Sequence, residues 1–370
     1  MKLTFIAIVC VYFEFFDCMM QHGQQQLFFS HHNSIISIFF LVLNQNLLTN
    51  SGACSDGVKL CQDFNEAKEH FEDLMSKQNV YGGKQNGVLC QEFLRGKEYV
   101  IDHVSRDGVH KTCMIWVYDK RPANGSAFVY YGMKPVNPDS VEGKILVQYT
   151  RTVLDAIGIQ HGPSHGEVMM TADGPCLVEM NCRAHGWNGI WMELARALTG
   201  GYCQIDMAAD AFLCDTDDDG DDAFTRTPDV PKYPFQASGE IVMLVSHSTG
   251  EVKQSCGYEV LQSLPSFVLA DGLKTVGSRV VPTIDLMSAI GTIVVMHPDP
   301  EVVQRDLAFI RHMEVINGFF TFKEEKDEEN RINPMLPWSV VVQQPHQAVK
   351  DDKLLRPSDG LNESSTQFVV

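Results

Sequence analysis

No C-x-x-C pair occurs among the eleven cysteines of this 370-residue chain, which are scattered from Cys10 to Cys256. That spacing fits neither a structural zinc site nor a small disulfide framework, so reduced and mostly buried thiols are expected. Basic residues are scarce as well: 29 Lys and Arg stand against 47 Asp and Glu, for a formal net charge of −18. With no long Lys/Arg run, the chain lacks the basic stripe that binds a phosphate backbone, and no nucleic-acid partner is expected. Long apolar runs are missing too. Residues 35–43 fall far short of the ~20 residues a membrane span requires. The run over residues 3–13 follows Lys2 like the core of a signal peptide, but Glu14 and Asp17 stand where a cleavage region is small and neutral. The expectation is a cytoplasmic protein without a membrane segment.

From residue 51 onward the chain reads as a compact mixture of helices and strands. Phe64, Ala67, Phe71 and Leu74 have helical spacing, predicting a helix over 64–77. Short β-prone runs follow at 88–93, 99–104 and 111–118. Apolar residues over 145–157 predict a second helix, with Gly158 as its stop. A loop at 161–166 then precedes two strands, 167–171 and 176–180, arranged around Ala172-Asp173-Gly174. Residues 190–198 read as a helix closed by Gly200-Gly201. The acidic, proline-bearing stretch 215–234 is a natural boundary. Beyond it, strands at 240–245 and 291–296 and a helix near 302–312 predict a separate α+β unit over 235–323. Residues 324–370 read as a charged, loose tail.

The chemistry concentrates between Glu167 and Arg183. A three-residue loop, 172–174, sets Thr171 opposite Pro175 and therefore Glu167 opposite Glu179. Side chains alternate with period two, so Asn181 and Arg183 join the carboxylates' face. Carboxylates at ~4.5–5.5 Å between Cβ atoms repel, and such a pair asks for a shared proton or cation. A hard cation suits it. Magnesium takes a few protein oxygens, here from Glu167, Glu179 and the Asn181 carbonyl, and leaves its other positions to water and phosphate. Arg183 would hold a transferring phosphate or a substrate carboxylate. The competing interpretation is an exposed hairpin with solvated charges. The run 177–180 looks buried and argues against that.

Glu167 and, twelve positions further on, Glu179-Met180-Asn181-Cys182-Arg183 resemble the magnesium and phosphate site of the ATP-grasp superfamily. The contexts Gly162-Pro163-Ser164-His165-Gly166-Glu167 and Ala184-His185-Gly186 are similar to its carboxylate–amine branch, the amino-acid and dipeptide ligases that include carnosine-synthase-like enzymes. The resemblance covers residues 51–323. It implies an α+β fold in which two lobes grip ATP, with a C-terminal α+β domain and with Mg2+, or alternatively Mn2+, as the metal. The substrates it implies are small amino-acid-like molecules, and a homodimer is compatible with it. On this view residues 51–94 are a partial nucleotide lobe with the hinge, and 95–214 the metal and phosphate lobe. Gln91, Glu92 and Leu94 resemble the hinge that meets the adenine edge, and Glu98 would take the ribose hydroxyls. A strand-end glutamate is otherwise merely solvated. Ser55 and Gly57 lie in a segment resembling the glycine-rich loop over the phosphates, where backbone N–H groups approach anionic oxygens. Lys120 is a further phosphate contact on this view, or else a surface lysine.

One departure bears on activity. Members of the family carry a lysine–proline strand just upstream of the glycine-rich loop. Here residues 46–50 read Asn-Leu-Leu-Thr-Asn, and no lysine lies between Lys2 and Lys59. The family's N-terminal substrate domain is also absent from residues 1–50, an atypical apolar segment. The expectation is an altered or incomplete N-terminus and an impaired enzyme, or a non-catalytic nucleotide-binding relative. Two other motifs mislead. Gly162-Pro163-Ser164-His165-Gly166 matches a hydrolase nucleophile elbow, which needs a strand before it and a helix after it. Asp215 to Gly220 matches the start of an EF-hand loop, but position twelve is Arg226 and Pro228 and Pro231 spoil the exit helix.

Overall fold

In the computed structural model the described residues are 59–61, 63–78, 88–213 and 222–324, with the backbone of four short strands between residues 9 and 49. The acidic run 214–221 lies outside them. The helix α1 (Phe64–Ser76) forms where its spacing predicts it, and the Asp63 side chain caps it by accepting from the Glu66 N–H. It packs Phe71 and Leu74 against Cys61 and Val88. Strand Val88–Glu92 pairs antiparallel with Gln45–Thr49, which also pairs with Lys59–Cys61.

Residues 93–96 then carry the chain into a second, eight-stranded sheet. Its strands are β1 (Lys97–Arg106), β2 (Val109–Ala123), β3 (Ser126–Pro135), β4 (Gly162–Thr171), β5 (Gly174–Asn181), β6 (Ser238–Leu244), β7 (Phe267–Asp271) and β8 (Gly291–His297). They run in the order β5-β4-β1-β2-β3-β6-β8-β7, every neighbour antiparallel. Two hairpins are dictated by sequence: Asp107-Gly108 and Asn124-Gly125 all have positive φ, the turn that matches strand twist. Strand β3 was not expected from its own residues, but the Asn124-Gly125 pair marks it.

Three differences from the sequence reading have local causes. The segment 161–166, expected as a loop for its Gly, Pro and Ser content, is the first half of β4, with Gly162 opposite Ser105 and His165 opposite Asp102. Pairing with a neighbour overrides composition here, and Ser164 and His165 are buried. The helix α2 (Val141–Ile157) starts four residues before the predicted 145, because the Ser140 hydroxyl caps it by accepting from the Gly143 N–H at 3.0 Å. Val141 is exposed and so does not enter the apolar stripe. Third, β6, β7 and β8 extend the same sheet across the 215–234 stretch instead of starting a separate sheet.

The sheet is covered on both faces. On one, Leu146, Val147, Tyr149 and Val153 of α2 meet Tyr99, Ile101, Ile115 and Val168. On the other, Trp191 with Leu194 and Leu198 of α3 (Met192–Thr199) meets Val100, Trp116, Met133, Ile241 and Val294. Beyond α3, α4 (Gln204–Leu213) lies against β1. The helix α5 (Pro300–Val315) packs on β6 and β8. Strand β6 reaches β3 at a point where a Cβ on Gly132 would lie 2.6 Å from the Ile241 carbonyl oxygen. Gly132→Val should therefore force the two strands apart and cost about 3 kcal/mol, the upper range for overpacking. Urea unfolding of both proteins measures it, and equal midpoints would show that the seam yields freely.

Candidate active site

Period-two alternation on β5, β4, β1 and β2 assembles the polar groups at one end of the face that α3 covers. In β4, Glu167 stands opposite Val100 of β1 and opposite Glu179 of β5. Glu98 is two residues before Val100, and the Lys120 side chain of β2 reaches it, Nζ lying 2.7 Å from Glu98 Oε2. Asn181 follows Glu179 on the same face and donates Nδ2 to Glu179 Oε1 at 2.7 Å. Arg183 donates to Asn181 Oδ1 at 3.3 Å and to the Ala184 carbonyl at 2.9 Å.

The register of Glu167 and Glu179 arises differently from the expected three-residue loop. Thr171 faces Gly174 across a two-residue turn, and a bulge between Glu167 and Val168 restores the one-residue offset. Gly174, at φ 114°, still occupies the conformation that favours glycine. The stretch 177–180 is half-buried rather than buried, and Glu179 itself is exposed, because β5 is the edge strand. Lys120 is no surface lysine: its side chain is 19% exposed, and the ammonium lies 4.2 Å from the Tyr130 ring centre and 5.0 Å from that of Tyr118. Glu98, at 11% exposed, is likewise far from simply solvated.

Packing three carboxylates beside one ammonium separates their proton affinities. Burial raises Glu98, partly offset by Lys120 and reinforced by Glu167. Burial would raise Glu167 too, but His165 and Lys120 outweigh it and the group is lowered. Loss of solvent and the Glu167 charge push Glu179 upward, although its surface stays accessible. Burial would lower Lys120; the Glu98 carboxylate prevails and keeps the ammonium protonated. Tyr130 is pushed up to about 12, chiefly by burial.

Behind this row lies a cluster that sequence reasoning missed. Asp102, fully buried, accepts from Nδ1 of His165 and Nδ1 of His185, both at 2.9 Å, and from Trp116 Nε1 at 2.9 Å. His165 Nε2 reaches Glu167 Oε1 at 3.2 Å. Burial would raise the Asp102 carboxyl, but the two imidazoles together hold it well below the carboxylate range. The signal available was the His165-x-Glu167 spacing, which places both on one face of a strand; nothing in the sequence pointed to Asp102.

The residues expected at the hinge lie just before β1. Gln91 and Glu92 end the strand Val88–Glu92, Leu94 is half-buried in the connection, and the Phe93 ring lies 5.7 Å from that of Phe128. Ser55 and Gly57 fall outside the described residues. The six cysteines whose side chains are described are free, four of them buried. No helix among them is long and apolar enough to cross a membrane.

Residues 49–190 match the family described as the ATP-grasp domain. A dapdiamide A synthase from Enterobacter agglomerans is 28% identical over 277 residues, covering 71% of this chain. The chain spans 59% of that relative's length. Among solved structures, an L-amino acid ligase from Bacillus licheniformis superposes with a TM-score of 0.57 at 16% identity, over 83% of this chain and 71% of that one.

Proposed function

We propose that the protein is an ATP-dependent ligase that joins a carboxylate, of amino-acid type, to an amine through an acyl phosphate. The observation that carries this is the row Glu98, Glu167, Glu179 on three adjacent strands, flanked by Lys120, Asn181 and Arg183. Likeness to a dapdiamide synthase and to an amino-acid ligase supports it. The donor set is all oxygen, and three carboxylates stand beside the single ammonium of Lys120. It fits a hard divalent cation, Mg2+ or Mn2+, held by Glu167, Glu179 and the Asn181 carbonyl. Such an ion supplies neutralisation of the charge on the ATP phosphates.

The chain's own residues would do the rest. Lys120, kept protonated and fixed between two tyrosines, offers a buried cation to phosphate oxygens. Arg183 spends two of its N–H donors within the protein and retains others for a phosphoryl group or a substrate carboxylate. Gln91, Glu92 and Leu94 would hold the adenine edge, and Glu98 the ribose, with Ser55 and Gly57 over the phosphates. A cytoplasmic setting accords with the free thiols.

The test is ADP release by the full chain with Mg-ATP and pairwise mixtures of the common amino acids. Release that requires two amino acids, with a dipeptide detected by mass spectrometry, is expected. ATP binding without ADP release in any mixture would make the protein a nucleotide-binding module instead.

A further inference from the structure

The buried Asp102 carboxylate touches neither the candidate metal ligands nor solvent, yet three donors from three different segments converge on it. His165 comes from β4, Trp116 from β2, and His185 from the segment that leaves β5 after Arg183. A deprotonated carboxylate only accepts, so both imidazoles present Nδ1–H to it. This sets the ring of His165 so that its Nε2 faces Glu167, 3.2 Å away. His185 is held from a second side, its backbone N–H donating to Gln204 Oε1 at 2.8 Å, while Gln204 Nε2 donates to the carbonyls of His103 and Ser164. The two imidazoles lie 4.3 Å apart, edge to face.

From this geometry we propose that Asp102 is a positioning residue: through His165 it aims the Glu167 carboxylate, and through His185 it anchors the turn that presents Arg183. The inference rests on the assignment of Glu167 to the cation site. Both halves of the row are thereby tied to one buried group. Chain connectivity alone does not do this, because β5 is an edge strand and Arg183 and Glu179 are exposed. The cluster could be taken for a metal site, since the ligand atoms of Asp102, His165 and His185 lie within 4.8 Å of one another. Each Nδ1, however, sits at hydrogen-bond distance from a different Asp102 oxygen, Trp116 adds a third donor, and the second nitrogen of His165 is directed at Glu167. Protons satisfy the group without an ion.

The experiment measures Mn2+ affinity in the presence of ATP by electron paramagnetic resonance, and metal-free ATP affinity in parallel, on the full chain. Asp102→Asn is expected to weaken Mn2+ binding ten- to hundredfold, as loss of an orienting partner does, and to lower metal-free ATP affinity by a smaller factor, through Arg183 alone. Glu167→Gln added to Asp102→Asn should cost less than it does in the wild-type background. Full additivity, or an equal loss of metal-free ATP binding, overturns the proposal. If Asp102→Asn does not fold, His165→Gln, which keeps a donor toward Glu167, should bind Mn2+ more tightly than His165→Leu; equal affinities overturn the proposal. If Glu167→Gln alone leaves Mn2+ affinity unchanged, the cation-site assignment itself falls. If Glu167→Gln weakens binding while Asp102→Asn does not, only the positioning role falls. A stoichiometric transition metal in purified protein, lost in Asp102→Asn, would show a metal centre in its place.

Discussion

Glu179→Gln is expected to weaken Mg-ATP binding about a hundredfold and to abolish turnover while the fold remains intact. The side chain projects from an edge strand and is exposed, so a neutral isostere there changes stability by no more than about 0.5 kcal/mol, as surface substitutions do. The charge it removes is one of two carboxylates set directly opposite each other, and a hard cation is held chiefly by such charge. A hundredfold corresponds to about 2.7 kcal/mol. Calorimetric titration of both proteins with Mg-ATP, beside thermal melts, separates the two effects. Unchanged affinity in the variant would remove Glu179 from the site and leave its opposition to Glu167 without a role.

The second large effect concerns acid. His103 is fully buried on β1, its Nε2 3.1 Å from the Thr112 hydroxyl oxygen. Burial first, then the nearby Arg151 and His110, depress its pKa to about 3, with Asp102 opposing. The folded protein keeps this ring neutral while the unfolded chain takes up a proton near pH 6.5. Stability is therefore fully present above pH ~6.5 and lost as the pH falls from there toward 3. For this group alone the loss reaches about 2 kcal/mol by pH 5. Urea unfolding of wild type and His103→Gln at pH 7.5 and 5.0 checks it. The wild type should lose about 2 kcal/mol more than the variant across that interval; parallel losses would mean that other groups carry the acid sensitivity.

What could be read in advance divides along physical lines. The opposition of Glu167 and Glu179 was legible because strand register follows from turn residues and from alternation, both local properties. The route to it was not, since a two-residue turn with a bulge and a three-residue turn without one give the same register at those positions. Helix α2 was visible through its apolar stripe, but its first turn, with Val141 in solvent, depends on the Ser140 cap. The strand character of 162–166 was hidden because glycine, proline and serine lack strand propensity, and the pairing with β1 that enforces it spans some sixty residues. The burial of Lys120 and the convergence on Asp102 were illegible for the same reason. Each depends on which strands become neighbours, and no local pattern encodes that order.

That order also fixes the standing of the C-terminal segment. Strand β6 covers the outer side of β3 at Gly132 and Met133, and Ile241 and Val294 belong to the same apolar cluster as Trp116, Met133 and Trp191. Residues 97–213 by themselves would present β3 as a bare strand with unpaired N–H and C=O groups above an uncovered apolar surface. Such a strand is a template for pairing with another copy, and self-association is its usual consequence. The segment from 238 to 297 is therefore a built-in guard against aggregation for the half of the protein that bears the carboxylates.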